Sequence, residues 1–417
     1  MKKYILIFML SAFAVISFAF GTDRVKKIKY PGGKTYMYRV ALTDKNGTPY
    51  TLDHPEEFLS SKSIARRTRQ HLSVDSTDLP INPAYITAIN SEDVKVVGHS
   101  KWNNTLLVRS KIPELVKRLS SLSCVKSISL VWTSPDSINS VSPRMKYHTD
   151  FNRWDTVAQS YYGVTREQVE MIGGVRMHNH GFTGKGITIA ILDAGFMNAD
   201  LIPCMQNVNI VGWADFVVPK SKSVFKEMEH GTKVLSVMAV REPYVFVGTA
   251  PDASYWLLRC EDELTESPAE EDYWAEAAEF ADSVGVDIIS SSLGFHDFDD
   301  SSYNYKYSQL DGHTSFISAT ASMLASKGMI LVNSAGNDGM SSWKKINVPA
   351  DADDILTVGA VSPNRRNASF SSIGPTADDR VKPDIMALGS PASVITGRGT
   401  IIKDMGTSFS APIVSGM

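Results

Sequence analysis

Cysteine is scarce in this sequence, which contains only Cys124, Cys204 and Cys260 among its 417 residues. Three widely spaced cysteines exclude a disulfide framework, and without a Cys-x-x-Cys pair or a Cys/His cluster they do not indicate a zinc site. One bond between Cys204 and Cys260 is compatible with an oxidising compartment, but buried free thiols are the ordinary state of such cysteines. We therefore expect core thiols.

Long apolar runs are also rare, and the first occupies residues 4–20, directly after Lys2 and Lys3. A basic start, an apolar run and small residues such as Ala19 and Gly21 are typical of a secretory signal peptide. The run is shorter than the ~20 residues that a membrane-spanning helix usually needs, so a membrane anchor is the weaker interpretation. The sequence predicts a signal peptide at 1–21, a secreted or cell-envelope location and no membrane span in the mature chain.

A strong net charge is absent as well, since the formal charge is −3, but the charges are unevenly divided. Residues 22–132 hold 18 basic and 10 acidic residues, a charge of +8, whereas residues 133–417 hold 22 and 35, a charge of −13. A basic arm for nucleic acid is one interpretation. Because the basic part is patterned like a folded domain, we predict no nucleic-acid partner and expect the opposite charges to favour docking.

The periodicity of residues 22–132 predicts a mixture of strands and helices. The strands are expected at 36–42, 94–97, 105–108 and 125–131, and the helices at 55–71 and 113–122. This mixture favours a small α+β domain of ferredoxin-like type. Residues 133–150 are rich in Ser, Pro and Asn, which predicts a linker.

From residue 181 onward the pattern changes to short strands that are apolar on both faces, at 187–192, 287–289, 329–332 and 355–358. Such strands indicate a parallel sheet covered by helices, and therefore an α/β fold. One covering helix is expected at 267–281, with Ser267 as its cap, Pro268 at its first position and Glu270 completing a capping box. A second is expected at 318–327.

Three polar residues lie at the ends of such elements. Asp193 follows a buried strand, His230 precedes a stretch of helical spacing, and Ser408 precedes a short apolar helix. A serine hydroxyl needs a base to take its proton and a carboxylate to orient that base, and these residues supply all three roles. Each also has a simpler interpretation: a turn aspartate, a solvent-facing histidine and a helix N-cap.

The surrounding motifs carry a family resemblance. They are Ile-Leu-Asp-Ala-Gly around Asp193, His-Gly-Thr from His230 and Gly-Thr-Ser-Phe-Ser-Ala-Pro around Ser408, with intervening matches at 248–253, 292–294, 334–337, 370–375 and 382–385. Over about 181–417 the chain resembles a subtilisin-like serine protease, a subtilase of peptidase family S8, of the exported bacterial type with an N-terminal pro-domain. Several motifs in a fixed order identify a family far more specifically than any one of them does.

The resemblance implies a role for each matching residue. Ser408 would be the nucleophile, His230 the general base and then acid, and Asp193 the group that orients His230. Asn337 would donate its amide to the oxyanion beside the Ser408 backbone N–H, although a loop asparagine is the simpler interpretation. The substrate would be bound by Ser292, Leu293, Gly294, Ser334, Ala335 and Gly336.

The resemblance also implies a domain organisation. Residues 22–132 would be a pro-domain that assists folding and inhibits the enzyme, 133–180 a linker and N-terminal extension, and 181–417 the peptidase domain with a subtilisin-like three-layer fold and a mostly parallel central sheet. The partners would be polypeptide substrates and the chain's own pro-domain, although an independent binding module at 22–132 is an alternative. The function implied is a secreted serine endopeptidase made as a zymogen.

Another function class stays open. The chain ends at Met417, nine residues after Ser408, within what reads as a buried helix. We therefore expect a core that is truncated at its C-terminal end, and a catalytically inactive binding or scaffold protein, or an inactive fragment, is the alternative to an enzyme. An α/β-hydrolase esterase would need a Gly-x-Ser-x-Gly motif and a different order of catalytic residues, and the sequence has neither.

An acidic cluster follows the strand at 257–258 and has two interpretations. It could favour basic side chains on a peptide substrate, but solvated acids at a helix N-terminus are the preferred interpretation. No calcium loop of recognisable spacing occurs, so no cofactor or metal ligand is predicted, and calcium, which is frequent in the family, is left open. The cluster comprises Glu261, Asp262, Glu263, Glu266, Glu270 and Glu271.

Overall fold

A computed structural model describes residues 27–30, 33–139 and 159–417. The predicted signal peptide at 1–21 and residues 140–158 of the predicted linker lie outside these ranges. No helix in the described part of the chain is long and apolar enough to cross a membrane.

The N-terminal part is built on a four-stranded antiparallel sheet in the order β3-β4-β2-β5, and β1 pairs with β6 beside it. Val40, Leu106 and Val108 are fully buried and pack with residues of α2 and α3, as the predicted α+β pattern requires. The elements are β1 (Lys27–Lys29), β2 (Tyr36–Leu42), α1 (Ser61–Arg69), α2 (Pro83–Ile89), β3 (Val94–Ser100), β4 (Thr105–Ser110), α3 (Pro113–Arg118), β5 (Val125–Thr133) and β6 (Ser137–Asn139).

The C-terminal part contains a seven-stranded parallel sheet in the order β15-β14-β13-β12-β7-β11-β8. Its elements are α4 (Arg166–Met171), α5 (Gly174–Asn179), β7 (Thr188–Asp193), β8 (Asn209–Asp215), α6 (His230–Ala239), β9 (Arg241–Glu242), β10 (Phe246–Val247), β11 (Ser254–Arg259), α7 (Ala269–Ser283), β12 (Ile288–Ser291), α8 (Phe316–Ala321), β13 (Ile330–Ser334), β14 (Leu356–Val361), β15 (Ile385–Leu388), β16 (Ala392–Ile395), β17 (Ile401–Asp404) and α9 (Thr407–Ser415).

The packing of β7 explains why its residues 189–192 are all apolar. Ala190 and Leu192 pack into the cluster that contains α7, whereas Ile189 and Ile191 pack into the cluster that contains α6. Alternate residues of a strand face opposite sides of the sheet, so both faces of this strand are covered by helices. The predicted three-layer α/β fold is confirmed.

The N-terminal sheet packs on α7 of the C-terminal part. Trp102, Leu107 and Trp132 lie in the same apolar cluster as Tyr273 and Trp274. The two parts of the chain are therefore joined by a shared apolar core as well as by the opposite charges expected from the sequence.

Several local predictions were wrong in detail. Helix α7 begins after Pro268, and Ser267 does not cap it; instead the Ser267 N–H donates to the carboxylate of Glu270 at 3.0 Å. The expected helices at 55–71, 113–122 and 318–327 each divide into an α-helix and a short 3-10 turn. The expectation of free thiols is confirmed, since all three cysteines are free, with Cys124 and Cys260 buried and Cys204 partly exposed.

Candidate active site

Asp193 and His230 form a partly buried pair at the carboxyl-terminal end of strand β7, in the interior of the parallel sheet. Asp193 is the last residue of β7 and is fully buried, and His230 is the first residue of α6. His230 Nδ1 lies 3.0 Å from each carboxylate oxygen of Asp193. A Cβ atom at Gly231 would lie 2.5 Å from the carbonyl oxygen of Gly195, so glycine is what lets α6 approach the loop after β7 this closely.

The pair changes the acid–base properties of the imidazole. Burial lowers the pKa of His230, but the charge of Asp193 and its hydrogen bond raise it, with a contribution from Glu261, and the resulting pKa is about 9. Because a carboxylate accepts only, the proton shared with Asp193 is on Nδ1, which leaves Nε2 as the proton-accepting nitrogen of the neutral ring.

Ser408 lies in the first turn of α9, on the same cleft as His230. The N-cap residue of α9 is Gly406, so the interpretation of Ser408 as a helix cap is wrong. Ser408 Oγ donates to the carbonyl oxygen of Ser292 at 3.4 Å, and within the described residues it makes no hydrogen bond to His230. Catalytic hydrogen bonds are often long or poorly aligned before a substrate binds, so this arrangement does not rule out Ser408 as a nucleophile.

The orientation of the Asn337 amide is determined by its neighbours. Asn337 Oδ1 accepts hydrogen bonds from the backbone N–H of Thr407 at 2.9 Å and from the Thr407 hydroxyl at 3.0 Å. A backbone N–H can only donate, so the oxygen must face α9 and the NH₂ group must point away from it. Asn337 is exposed and lines the cleft, so its two N–H groups are available to a ligand there.

Two backbone segments form the walls of this cleft, which has a volume of about 490 Å³. Residues 292–294 follow β12, and residues 334–336 begin at the end of β13. The structure places one of the predicted substrate-binding residues away from the cleft lining: Ala335 is fully buried, its N–H donates to Val358, and its carbonyl accepts from the N–H of Asn347. The predicted residues that do line it are Ser292, Leu293, Gly294, Ser334 and Gly336.

The acidic cluster divides into two groups. Glu261, Glu263 and Glu266 line the cleft, so they are not simply solvated acids of α7. Burial raises the pKa of Glu261 to about 8 and that of Glu263 to about 7, with a further rise from the charge of Asp193. By contrast, Asp262, Glu270 and Glu271 do not line the cleft, and Glu270 and Glu271 are buried.

Two further cleft residues, Asp338 and Asn347, were missed by the sequence reasoning. Asp338 directly follows Asn337, so its proximity to the site had a signal in the sequence. Asn347 comes from a separate loop, and no motif in the sequence points to it. Within the described residues, no group of three or more His, Cys, Asp or Glu side chains could hold a metal ion.

Comparison with known proteins gives matches for both parts of the chain. Residues 184–417 match the profile of the Subtilase family, and residues 37–148 match that of the Peptidase S8 propeptide domain, Bacteroidota. Subtilisin NAT from Bacillus subtilis subsp. natto is 26% identical over 63% of this chain and 62% of its own length. The alkaline protease of Alkalihalobacillus alcalophilus is 25% identical over 80% of this chain and 79% of its own length. The chain thus spans less than two thirds of the length of the Bacillus subtilis subtilisins that it matches.

Proposed function

Because the chain belongs to the subtilase family, we propose that it is a serine endopeptidase, made as a zymogen and exported, that hydrolyses peptide bonds with Ser408 as its nucleophile. The observation that carries the proposal is the His230–Asp193 pair, with 3.0 Å from Nδ1 to each carboxylate oxygen, on the same cleft as Ser408. The leader-like pattern at 1–21 supports export.

The proposed reaction begins when Ser408 Oγ attacks the carbonyl carbon of a peptide and passes its proton to His230 Nε2. Asp193 holds the ring by its Nδ1–H bond and stabilises the imidazolium that forms. His230 then returns the proton to the leaving amine, which leaves an acyl group on Ser408. A water molecule, activated by His230 in the same way, hydrolyses that ester.

The negative charge that develops on the carbonyl oxygen needs hydrogen-bond donors. The Ser408 backbone N–H lies in the first turn of α9, where N–H groups have no partner within the helix and the helix dipole favours an anion. The NH₂ group of Asn337 is the second proposed donor, since its oxygen is already held by Thr407. These groups are rigid and uncharged, so they stabilise the oxyanion without titrating.

We further propose that the N-terminal part acts as an intramolecular inhibitor until it is removed. Its basic and polar groups contact α7 directly: Arg39 forms a bidentate pair with Asp272 at 2.8 and 2.6 Å, and Glu279 accepts from the backbone N–H groups of Lys101 and Trp102 at 2.7 and 3.1 Å. These contacts need a folded partner on each side, which suits a domain that also assists folding.

Covalent labelling tests the proposed function. A fluorophosphonate probe reacts only with a serine that is activated by a base, so we expect labelling of the processed protein and none of Ser408→Ala, with the two proteins equally folded by circular dichroism. Failure of the processed protein to label would instead support an inactive binding protein, for which the hydrogen bond from Ser408 to Ser292 would be the resting arrangement.

A further inference from the structure

A polar recess lies beside the amide of Asn337 in the cleft. It is bordered by Gly294 and Gly336 and closed by Asn347 and Asp338. A Cβ atom at Gly294 would lie 3.0 Å from Asn347 Cβ, and one at Gly336 would lie 3.0 Å from Asn347 Nδ2, with a backbone φ of +107° at Gly336. Glycine at both positions therefore brings the polar side chain of Asn347 against the two backbone walls.

The recess has more hydrogen-bond acceptors than donors. Asn347 Nδ2 donates to Asp338 Oδ2 at 2.9 Å, which orients the amide, because a carboxylate can only accept. Asn347 is only 7% exposed, and its Oδ1 has no donor among the described residues. Asp338 Oδ1 likewise receives no hydrogen bond from the described part of the chain. Unpaired acceptors in a confined site are unfavourable until a donor arrives.

Apart from His230, the ionisable residues that line the cleft are acidic, like Asp338 in the recess. Glu261, Glu263 and Glu266 lie on the cleft with Asp338, and no lysine or arginine is among the described residues that line it. Asp338 has one basic contact among the described residues, His296, whose Nδ1 lies 3.9 Å from Asp338 Oδ2. The His296 ring stacks on Trp343, with 4.8 Å between the ring centroids. The distance from His296 to the carboxylate is too long for a hydrogen bond, so His296 does not occupy an acceptor position of the Asp338 carboxylate.

The position of the recess determines which substrate side chain enters it. The carbonyl oxygen of the residue before the scissile bond would face the amide of Asn337, and Asp338 is the next residue in the chain. The side chain of that same substrate residue branches one atom from the carbonyl carbon, so it lies nearest to the recess. A donor-bearing cationic head group would meet the free oxygen of Asp338 there.

We propose that Asp338, supported by Asn347, selects substrates with a lysine or arginine immediately before the scissile bond. This inference rests on the proposed endopeptidase function and names its substrate class. Lysine and arginine carry donors and no acceptors, whereas an apolar side chain of the same length leaves the acceptors of the recess unpaired.

Peptides that differ only at that residue test the proposal. With the processed protein, kcat/KM for lysine and arginine should exceed that for norleucine, which has a similar length without the ammonium group, by about 10–100-fold. Asp338→Asn should remove most of this ratio and keep norleucine cleavage, which also reports that the variant is folded. Glu263→Gln, which removes an exposed carboxylate of the same cleft, is the matched control and should keep the ratio.

The outcomes separate the two proposals. A protein that labels with fluorophosphonate and cleaves norleucine peptides at least as well as lysine peptides is an endopeptidase without the proposed selectivity. An equal fall of the ratio in Asp338→Asn and Glu263→Gln would overturn the assignment to Asp338 in favour of the general charge of the cleft. A protein that neither labels nor cleaves any peptide removes both proposals.

Discussion

The two ends of the Asn337 amide face different parts of the molecule. Its oxygen accepts from the backbone N–H of Thr407, the residue before Ser408, so it holds the first turn of α9 against the loop after β13. Its NH₂ group is thereby turned toward the cleft. A loop asparagine placed only by turn chemistry would not need this bridge, so the contact favours the oxyanion role over the simpler interpretation.

Two substitutions distinguish the two ends of the Asn337 amide. Asn337→Asp keeps an acceptor for Thr407 but removes the donor, whereas Asn337→Ala removes both. We expect each to lower kcat by at least about 10²–10³-fold, because the loss of one oxyanion donor has that effect. Turnover of a peptide ester measures it, and wild-type kcat in either variant would contradict the role of the amide.

His230 should make the activity depend on pH in a defined direction. Only the neutral imidazole accepts the proton of Ser408, and with a pKa of about 9 the ring is mostly protonated at neutral pH. We therefore expect kcat/KM to rise with pH from neutral to about pH 9 rather than to level off near the ordinary histidine value of about 6.5.

The substitution Glu261→Gln tests the cause of that shift. It removes a negative charge that raises the pKa of His230, so the rise in kcat/KM should move to lower pH. A pH–rate profile for the wild type and the variant measures the effect. An unchanged midpoint would show that Glu261 does not act on the imidazole.

At the scale of single elements, helix α1 owes its position to buried charges. Arg66 and Arg67 are each 1% exposed, and both form ion pairs with Asp282, which belongs to α7 and is fully buried. Arg67 also pairs with Asp78 at 3.0 Å. Ser60 caps the helix by accepting from the Ser63 N–H. The capping residue is a local signal, but the helix is placed by partners more than 200 residues away in the sequence.

The arginines of α1 provide a matched pair of substitutions. Arg67→Met leaves Asp282 and Asp78 incompletely compensated and should lower the free energy of unfolding by about 3–5 kcal/mol. Arg69→Met should change it by less than about 0.5 kcal/mol, since the Arg69 side chain is 65% exposed and lies 3.8 Å from Asp287. Urea unfolding of the precursor that carries Ser408→Ala, which prevents processing, compares the two. Equal losses would mean that the buried pairs do not hold α1.

The whole molecule is organised around the contact between a basic N-terminal part and an acidic C-terminal part. The total charges of +8 and −13 act over distance, whereas the interface ion pairs of Arg39 with Asp272 and of Arg66 with Asp282 are largely or fully buried and therefore poorly screened by salt. Apolar residues of both parts form one cluster, in which Trp102 and Trp132 lie with α7. Salt should therefore change the rate at which the two parts dock more than the stability of the docked arrangement.

The isolated N-terminal part should inhibit the processed protein at micromolar concentration. Raising NaCl from roughly 0.05 M to roughly 0.5 M should weaken this inhibition, mainly by slowing association, because screening shortens the range of the charges. The rate of fluorophosphonate labelling without the inhibitor is the control and should change little. Absence of inhibition at micromolar concentration would favour an independent binding module.

The three-layer fold and the family were both predicted from the sequence and are confirmed. The strands around Asp193 were found because burial on both faces leaves an uninterrupted apolar run, and a helix was expected after His230 because apolar spacing is local. Helix α2 was missed, since its seven residues carry too little periodicity to distinguish it from a loop. The extents of the domains and the roles of the site residues remain predictions and proposals.

The sequence by itself determined the order of the strands along the chain, the positions of Asp193, His230 and Ser408 at element ends, and the division of charge. These follow from neighbours within a few residues, where the chain directly restricts the backbone. Only the tertiary structure decided that Ala335 is buried, that Glu261 lies on the cleft and that Asn347 holds Asp338. Such contacts join loops that are far apart in the sequence, and their geometry exists only once the sheet and its covering helices have packed.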